Sequence, residues 1–131
     1  MADSDSTGTA SERPVALVTG ASAGIGEQFA RYLGAGGHDL VLVARDRARL
    51  EALAKDLDAD HGARAEVLAA DLTEPEELER VEDRVSSTEA PVDLLVNNAG
   101  FGTIGRFDRL PIDREVDEIE LNVIAVLRLA H

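Results

Sequence analysis

Hydrophobic positions along the chain alternate between short unbroken runs and longer stretches in which they recur at helical spacing. Val15-Ala16-Leu17-Val18-Thr19 runs apolar up to Gly20, as expected of a strand covered on both faces. A helix is predicted from near Gly24 to about Ala35, burying Phe29, Ala30 and Leu33 before a Gly36-Gly37 stop. Leu40 to Ala44 forms a second buried strand, after which Leu50, Leu53, Ala54 and Leu57 repeat at i, i+3, i+4 and i+7 on one helix face. Ala65 to Ala70 is a third strand. Thr73-Glu74-Pro75-Glu76 then has the form of a capping box, with the Thr73 hydroxyl and the Glu76 carboxylate satisfying backbone donors, and Leu78, Val81 and Val85 supply the inner face of the helix that follows. Val92 to Val96 is a fourth strand, and Phe101 to Leu110 a glycine-containing loop. The last segment is helical from about Asp113, with Val116, Ile119, Val123, Val126 and Leu127 sharing a stripe.

Strands and helices in regular alternation predict an α/β fold on a parallel sheet. Ahead of it, Met1 to Arg13 is rich in Ser, Thr, Asp and Ala without an apolar period, a disordered leader that leaves residues 14–131 as the folded part. The final helix reaches His131 with no Gly, Asn or Pro end signal, which reads as a truncated domain, cut inside a helix. A sheet stopped at strand four exposes a Val- and Leu-rich edge, so the chain alone is expected to be marginally stable.

Composition narrows the chemistry. At 131 residues the chain holds one domain at most, and 26 acidic against 13 basic residues give a formal charge of −13. Nucleic acid and anionic membrane surfaces are therefore repelled, and neither is expected as a partner. The absence of cysteine excludes a disulfide framework, a thiolate metal site and a catalytic thiol. No apolar run approaches the roughly 20 residues that cross a bilayer, and no signal peptide opens the chain, so a soluble, cytoplasmic protein is expected. His38, His61 and His131 lack neighbouring ligands and read as surface or turn residues, with no metal site expected. Glu74, Glu76, Glu77 and Glu79 favour the positive end of the third helix, and Ser86-Ser87 has no base nearby.

One segment does carry chemistry. Thr19-Gly20-Ala21-Ser22-Ala23-Gly24-Ile25-Gly26 joins a predicted strand to a predicted helix, where a diphosphate can sit on exposed amides at the positive helix end. Gly20 permits the tight turn, Gly24 lets backbone approach phosphate, and Gly26 allows close packing of helix on strand.

With its Gly-x-x-x-Gly-x-Gly spacing, Asn97-Asn98-Ala99-Gly100 after strand four, Asp71-Leu72 ending strand three and Asn122 in the last helix, the chain resembles the short-chain dehydrogenase/reductase family from about Pro14 onward. The resemblance implies a Rossmann-type, doubly wound parallel sheet with strand order 3-2-1-4, and a dinucleotide crevice between strands one and four. Cofactor contacts then fall on Gly20, Ser22, Ala23, Gly24, Ile25 and Gly26, facing Asn98, Ala99 and Gly100. Asp71 is expected to accept from the adenine amine, with Leu72 offering backbone to the same ring. The family's acidic position at the end of strand two is Ala44 here, and Arg45 follows it. A guanidinium grips a 2′-phosphate bidentately, so NADP(H) is expected over NAD(H), with Asp46 turned away as a helix cap.

The resemblance also implies hydride transfer to a carbonyl or from a secondary alcohol on a small-molecule substrate. A serine and a Tyr-x-x-x-Lys pair serve that reaction in the family. The single tyrosine here, Tyr32, is followed four positions later by Gly36, and the single lysine, Lys55, lies in another helix. Asn122 matches the catalytic asparagine. The leading expectation is the cofactor-binding half of an NADP(H)-dependent oxidoreductase, inactive by itself; the alternatives are a non-catalytic NADP(H)-binding regulatory module and an interaction domain that has lost the ligand. Phe101, Thr103 and Ile104 line a substrate pocket or pack over the sheet edge. Family members are often dimers or tetramers, so a homo-oligomer is compatible.

Overall fold

The structure, a computed structural model, describes residues 13–101 and 105–131. Four strands, β1 (Val15–Thr19), β2 (Asp39–Ala44), β3 (Ala65–Ala69) and β4 (Leu94–Val96), are joined by α1 (Gly24–Ala35), α2 (Arg47–His61) and α3 (Pro75–Val85). Beyond β4 the chain makes a 3₁₀ turn at Phe107–Arg109, then α4 (Ile112–Ile119), a π-helical stretch over Glu120–Ala125, and α5 (Val126–Ala130). Every pairing is parallel, in the order β3-β2-β1-β4, as the Rossmann expectation required. Among the described residues no helix is long and apolar enough to cross a membrane.

The unbroken apolar runs are explained by the two layers that cover the sheet. Ala16, Val18, Leu40 and Leu42 point to one face, where they pack with Ala30 of α1 and Leu50, Leu53 and Leu57 of α2. Leu17, Val41 and Val43 point to the other, against Leu78 and Val81 of α3 and Leu129 of α5. Alternate residues of one strand thus feed two separate cores, and a polar residue at either register would be buried. Arg13, in the segment assigned to the leader, donates to the carbonyls of Gly34 and His38 and pairs with the buried Asp39. Residues 1–12 of that leader lie outside the described residues. Between helices, Arg31 bridges Glu27 and Asp56, and Arg128 binds Glu82. Hydrogen bonds to Asp56 and Glu27 hold the Arg31 guanidinium above its ordinary pKa, and those to Glu82 do the same for Arg128.

Two local expectations are corrected. Phe29 is 44% exposed, because the face that α1 lays on the sheet is the small-residue row Gly26, Ala30 and Gly34. Close approach excludes a large side chain there: a Cβ at Gly34 would stand 2.8 Å from Leu57 Cδ2. The capping box does not form either. Thr73 turns back, its hydroxyl donating to Asp71 Oδ1 at 2.7 Å, and Glu77 rather than Glu76 reaches a backbone donor, the Asp71 amide. Helix α3 starts instead at Pro75, whose missing N–H leaves one donor fewer to satisfy. In the last helical segment Val116, Ile119, Val123 and Leu127 face outward, while Leu121, Ala125 and Leu129 face the core. This segment is apolar on two sides, and periodicity alone does not say which is inward.

The carboxyl ends of β1 and β4 are bound together by one buried side chain. Thr19 Oγ1 accepts from the amides of Asn98 at 3.0 Å and Ala99 at 2.9 Å, and Asn98 Nδ2 donates back to the Thr19 carbonyl. Thr19→Val keeps the shape and strands both amides, so urea unfolding is expected to show a loss of about 2 kcal/mol, with Thr19→Ser nearly neutral. At Gly26 a Cβ would stand 2.0 Å from the Gly20 carbonyl oxygen. Gly26→Ala must push α1 off the turn, and a stability loss of about 2–3 kcal/mol is expected in the same measurement.

Candidate functional site

Above the carboxyl ends of β1, β2 and β4 lies an open crevice of about 600 Å³. It sits where the strand order reverses, which is where ligands of open α/β sheets bind. Gly20, at φ +67°, turns the chain sharply off β1, and Gly24, at φ +56°, opens α1. Ala23, extended at φ −160°, precedes the helix and provides no side-chain cap. The first amides of α1 are therefore left to whatever occupies the crevice. A Cβ built at Gly24 meets nothing within 4 Å, so the turn is open where an anion would approach. The residues present fit a diphosphate.

Of the residues expected to hold a dinucleotide, Gly20, Ser22, Arg45, Asp71, Leu72, Ala99 and Gly100 line this crevice. Ala23, Ile25 and Gly26 belong to the first turn of α1 or its cap, with Ile25 70% exposed at the surface. Asn98 lies beneath, tied to Thr19 and Gly20. Arg45 follows β2 and is exposed, and among the described residues nothing pairs with it. Asp46 caps α2 by accepting the Arg49 amide at 3.1 Å, as expected of it. Asp71 is committed in part to its own turn, since Oδ1 accepts both the amide and the hydroxyl of Thr73. Leu72 is buried in the core below.

Asn122 is placed differently. It lies within the π-helical stretch, and its side chain grips the backbone of Phe101, accepting from the Phe101 amide at 2.9 Å and donating to the Phe101 carbonyl. Gly100 must be glycine for this grip, because a Cβ there would stand 2.7 Å from Asn122 Oδ1. Asn97 donates to the Val126 carbonyl at 3.0 Å and ties the same loop to α5. Phe101 lies under the Arg114 guanidinium, 4.2 Å from ring centroid to Cζ, and both residues line the crevice. Thr103 and Ile104 lie outside the described residues. Among the described residues, no cluster of three or more His, Cys, Asp or Glu could hold a metal ion.

Sequence reasoning missed four participants. Thr19 carried a signal, since a hydroxyl ending an apolar run must find a partner once buried. Arg49 stands at the third position of α2, whose amide a capping Asp46 accepts, so the cap itself draws these two side chains together. Arg114 and Asp117 of α4 line the crevice through tertiary placement that local sequence does not disclose.

The model of the short chain dehydrogenase family matches residues 14–131. A very-long-chain 3-oxoacyl-CoA reductase from Meyerozyma guilliermondii is 35% identical over 113 residues, covering 85% of this chain and 32% of the relative. Among solved structures, a short-chain dehydrogenase from Sphingobium yanoikuyae in complex with NADPH superposes with a TM-score of 0.86 at 44% identity, covering 89% of this chain and 45% of that one. The L-sorbose reductase of Gluconobacter frateurii, complexed with NADPH and L-sorbose, gives 0.82 at 36% identity, covering 90% and 45%. The chain spans less than half the length of each of these proteins. With the strand order, the glycine turn and the Asn-Asn-Ala-Gly segment in these positions, the chain belongs to the short-chain dehydrogenase family.

Proposed function

We propose that these residues form the cofactor-binding part of an NADP(H)-dependent oxidoreductase that reduces a carbonyl or oxidises a secondary alcohol on a small molecule, in a cytoplasmic protein. The observation that carries this reading is Arg45. It is a guanidinium on the crevice with no partner among the described residues, in a chain of net charge −13, at the strand end where Ala44 stands in place of an acidic side chain. The two NADPH-bound relatives support it.

When bound, the nicotinamide supplies hydride. The chain's own residues hold and orient. The amides at the start of α1, from Ala23 to Gly26, take the diphosphate, with Ser22 beside them. Asp71, Leu72, Ala99 and Gly100 bound the adenine end, and Arg45 holds the 2′-phosphate. Asn122, through its grip on Phe101, fixes the loop after β4 on the nicotinamide side and is assigned to the catalytic machinery. The chain contains no Tyr-x-x-x-Lys, so proton transfer is assigned to residues outside these 131. The exposed row Ile112, Val116, Ile119, Val123 and Leu127 supports self-association of the parent protein.

The alternative, a regulatory module that binds NADP(H) without turnover, shares this geometry. A reductase assay with NADPH and a panel of ketones on a protein extended through a Tyr-x-x-x-Lys segment separates the two: turnover supports the enzyme, and tight binding with no turnover supports the module. Titration is expected to show NADPH bound at least about tenfold more tightly than NADH, with Arg45→Ala levelling the two. Equal affinities in the unsubstituted protein would sink the cofactor assignment.

A further inference from the structure

Arg45 by itself is a poor match for a 2′-phosphate. That group carries about −1.5 to −2 charges near neutral pH, against a single guanidinium whose immediate neighbour is a carboxylate. Asp46 adjoins Arg45 in sequence and lines the same crevice, so the pair presents almost no net charge. Arg49 changes this balance. Its amide occupies Asp46 Oδ1, and its Nε stands 3.6 Å from Asp46 Oδ2. Both carboxylate oxygens are thereby turned toward Arg49. The Arg49 side chain also lines the crevice and is 65% exposed, and a guanidinium has donors to spare beyond the one facing Asp46.

We propose that Arg49 is the second cation of the 2′-phosphate site, neutralising Asp46 through one edge of its guanidinium and holding the phosphate with the other. The inference rests on the NADP(H) reading above. The net charge of the three side chains is then +1 rather than zero. Arg47 provides an internal comparison: it carries the same charge two positions away, yet does not line the crevice.

The experiment is isothermal titration calorimetry of NADPH and of NADH at fixed ionic strength on the intact protein and its Arg49→Gln, Arg47→Gln and Arg45→Gln variants. Thermal melting of each confirms folding. Arg49→Gln is expected to weaken NADPH about five- to tenfold and NADH by less than about twofold, with Arg47→Gln changing both by less than about twofold. Arg49→Lys should recover part of the loss, as a point charge without the planar fork. Equal losses for Arg47→Gln and Arg49→Gln would overturn the proposal, reducing it to overall charge. Parallel losses for NADPH and NADH in Arg49→Gln would also overturn it, by showing a structural role. If the unsubstituted protein prefers NADPH and loses the preference on Arg45→Gln but not on Arg49→Gln, the Arg49 role alone fails. No preference in the unsubstituted protein means the underlying NADP(H) reading has failed.

Discussion

Everything the crevice does depends on the Thr19 hydroxyl. It is fully buried, at the point where β1 gives way to the glycine turn, and it accepts from two amides that follow β4. Two strand ends that diverge above the sheet are thereby held at a fixed separation. The segments that follow cover opposite faces of the sheet, α1 through Ala30 and the last helical segment through Ala125 and Leu129. Asn98 strengthens the same junction from the other side by donating to the Thr19 carbonyl. Arg45, Asp71 and Gly100 contribute only their positions relative to this junction. None of them makes a bond that fixes the crevice width.

The electrostatics follow the same economy. An acidic chain repels a dinucleotide over most of its surface, so attraction must be local and protected from its own carboxylates. The structure achieves this by giving carboxylates other work. Asp46 caps a helix, Asp71 closes a turn on Thr73, and Glu77 accepts the Asp71 amide. These three carboxylates are thereby turned onto backbone or hydroxyl donors, while Asp117 faces the crevice beside Arg114.

The strands were legible because their signal is local. Val15 to Thr19 and Leu40 to Ala44 are apolar at every register, and only a sheet covered on both faces needs that. The glycine turn was legible for a similar reason, since positive φ at Gly20 and Gly24 leaves a mark in composition. Helix faces were harder to assign. In α1 the largest apolar residue, Phe29, is less buried than Gly26 or Gly34, because closeness of packing rather than hydrophobicity selects the inward row. The last helical segment has two apolar rows, and the choice between them belongs to tertiary packing. The partners of Thr19, and the placement of Arg114 and Asp117 at the crevice, depend on contacts far apart in sequence that no window along the chain reports.

That distance has a kinetic meaning. The pairing of β1 with β2 joins residues about two dozen positions apart, whereas Thr19 reaches Ala99 across 80 positions. Loop-closure entropy makes the second contact the slower to form, so β4 is expected to dock on a sheet already assembled from β1, β2 and β3. The crevice is therefore expected to close late in folding. A dinucleotide seated there would act on the folding equilibrium as a clasp on that late closure, stabilising the domain by an amount that grows with the logarithm of its concentration over its dissociation constant.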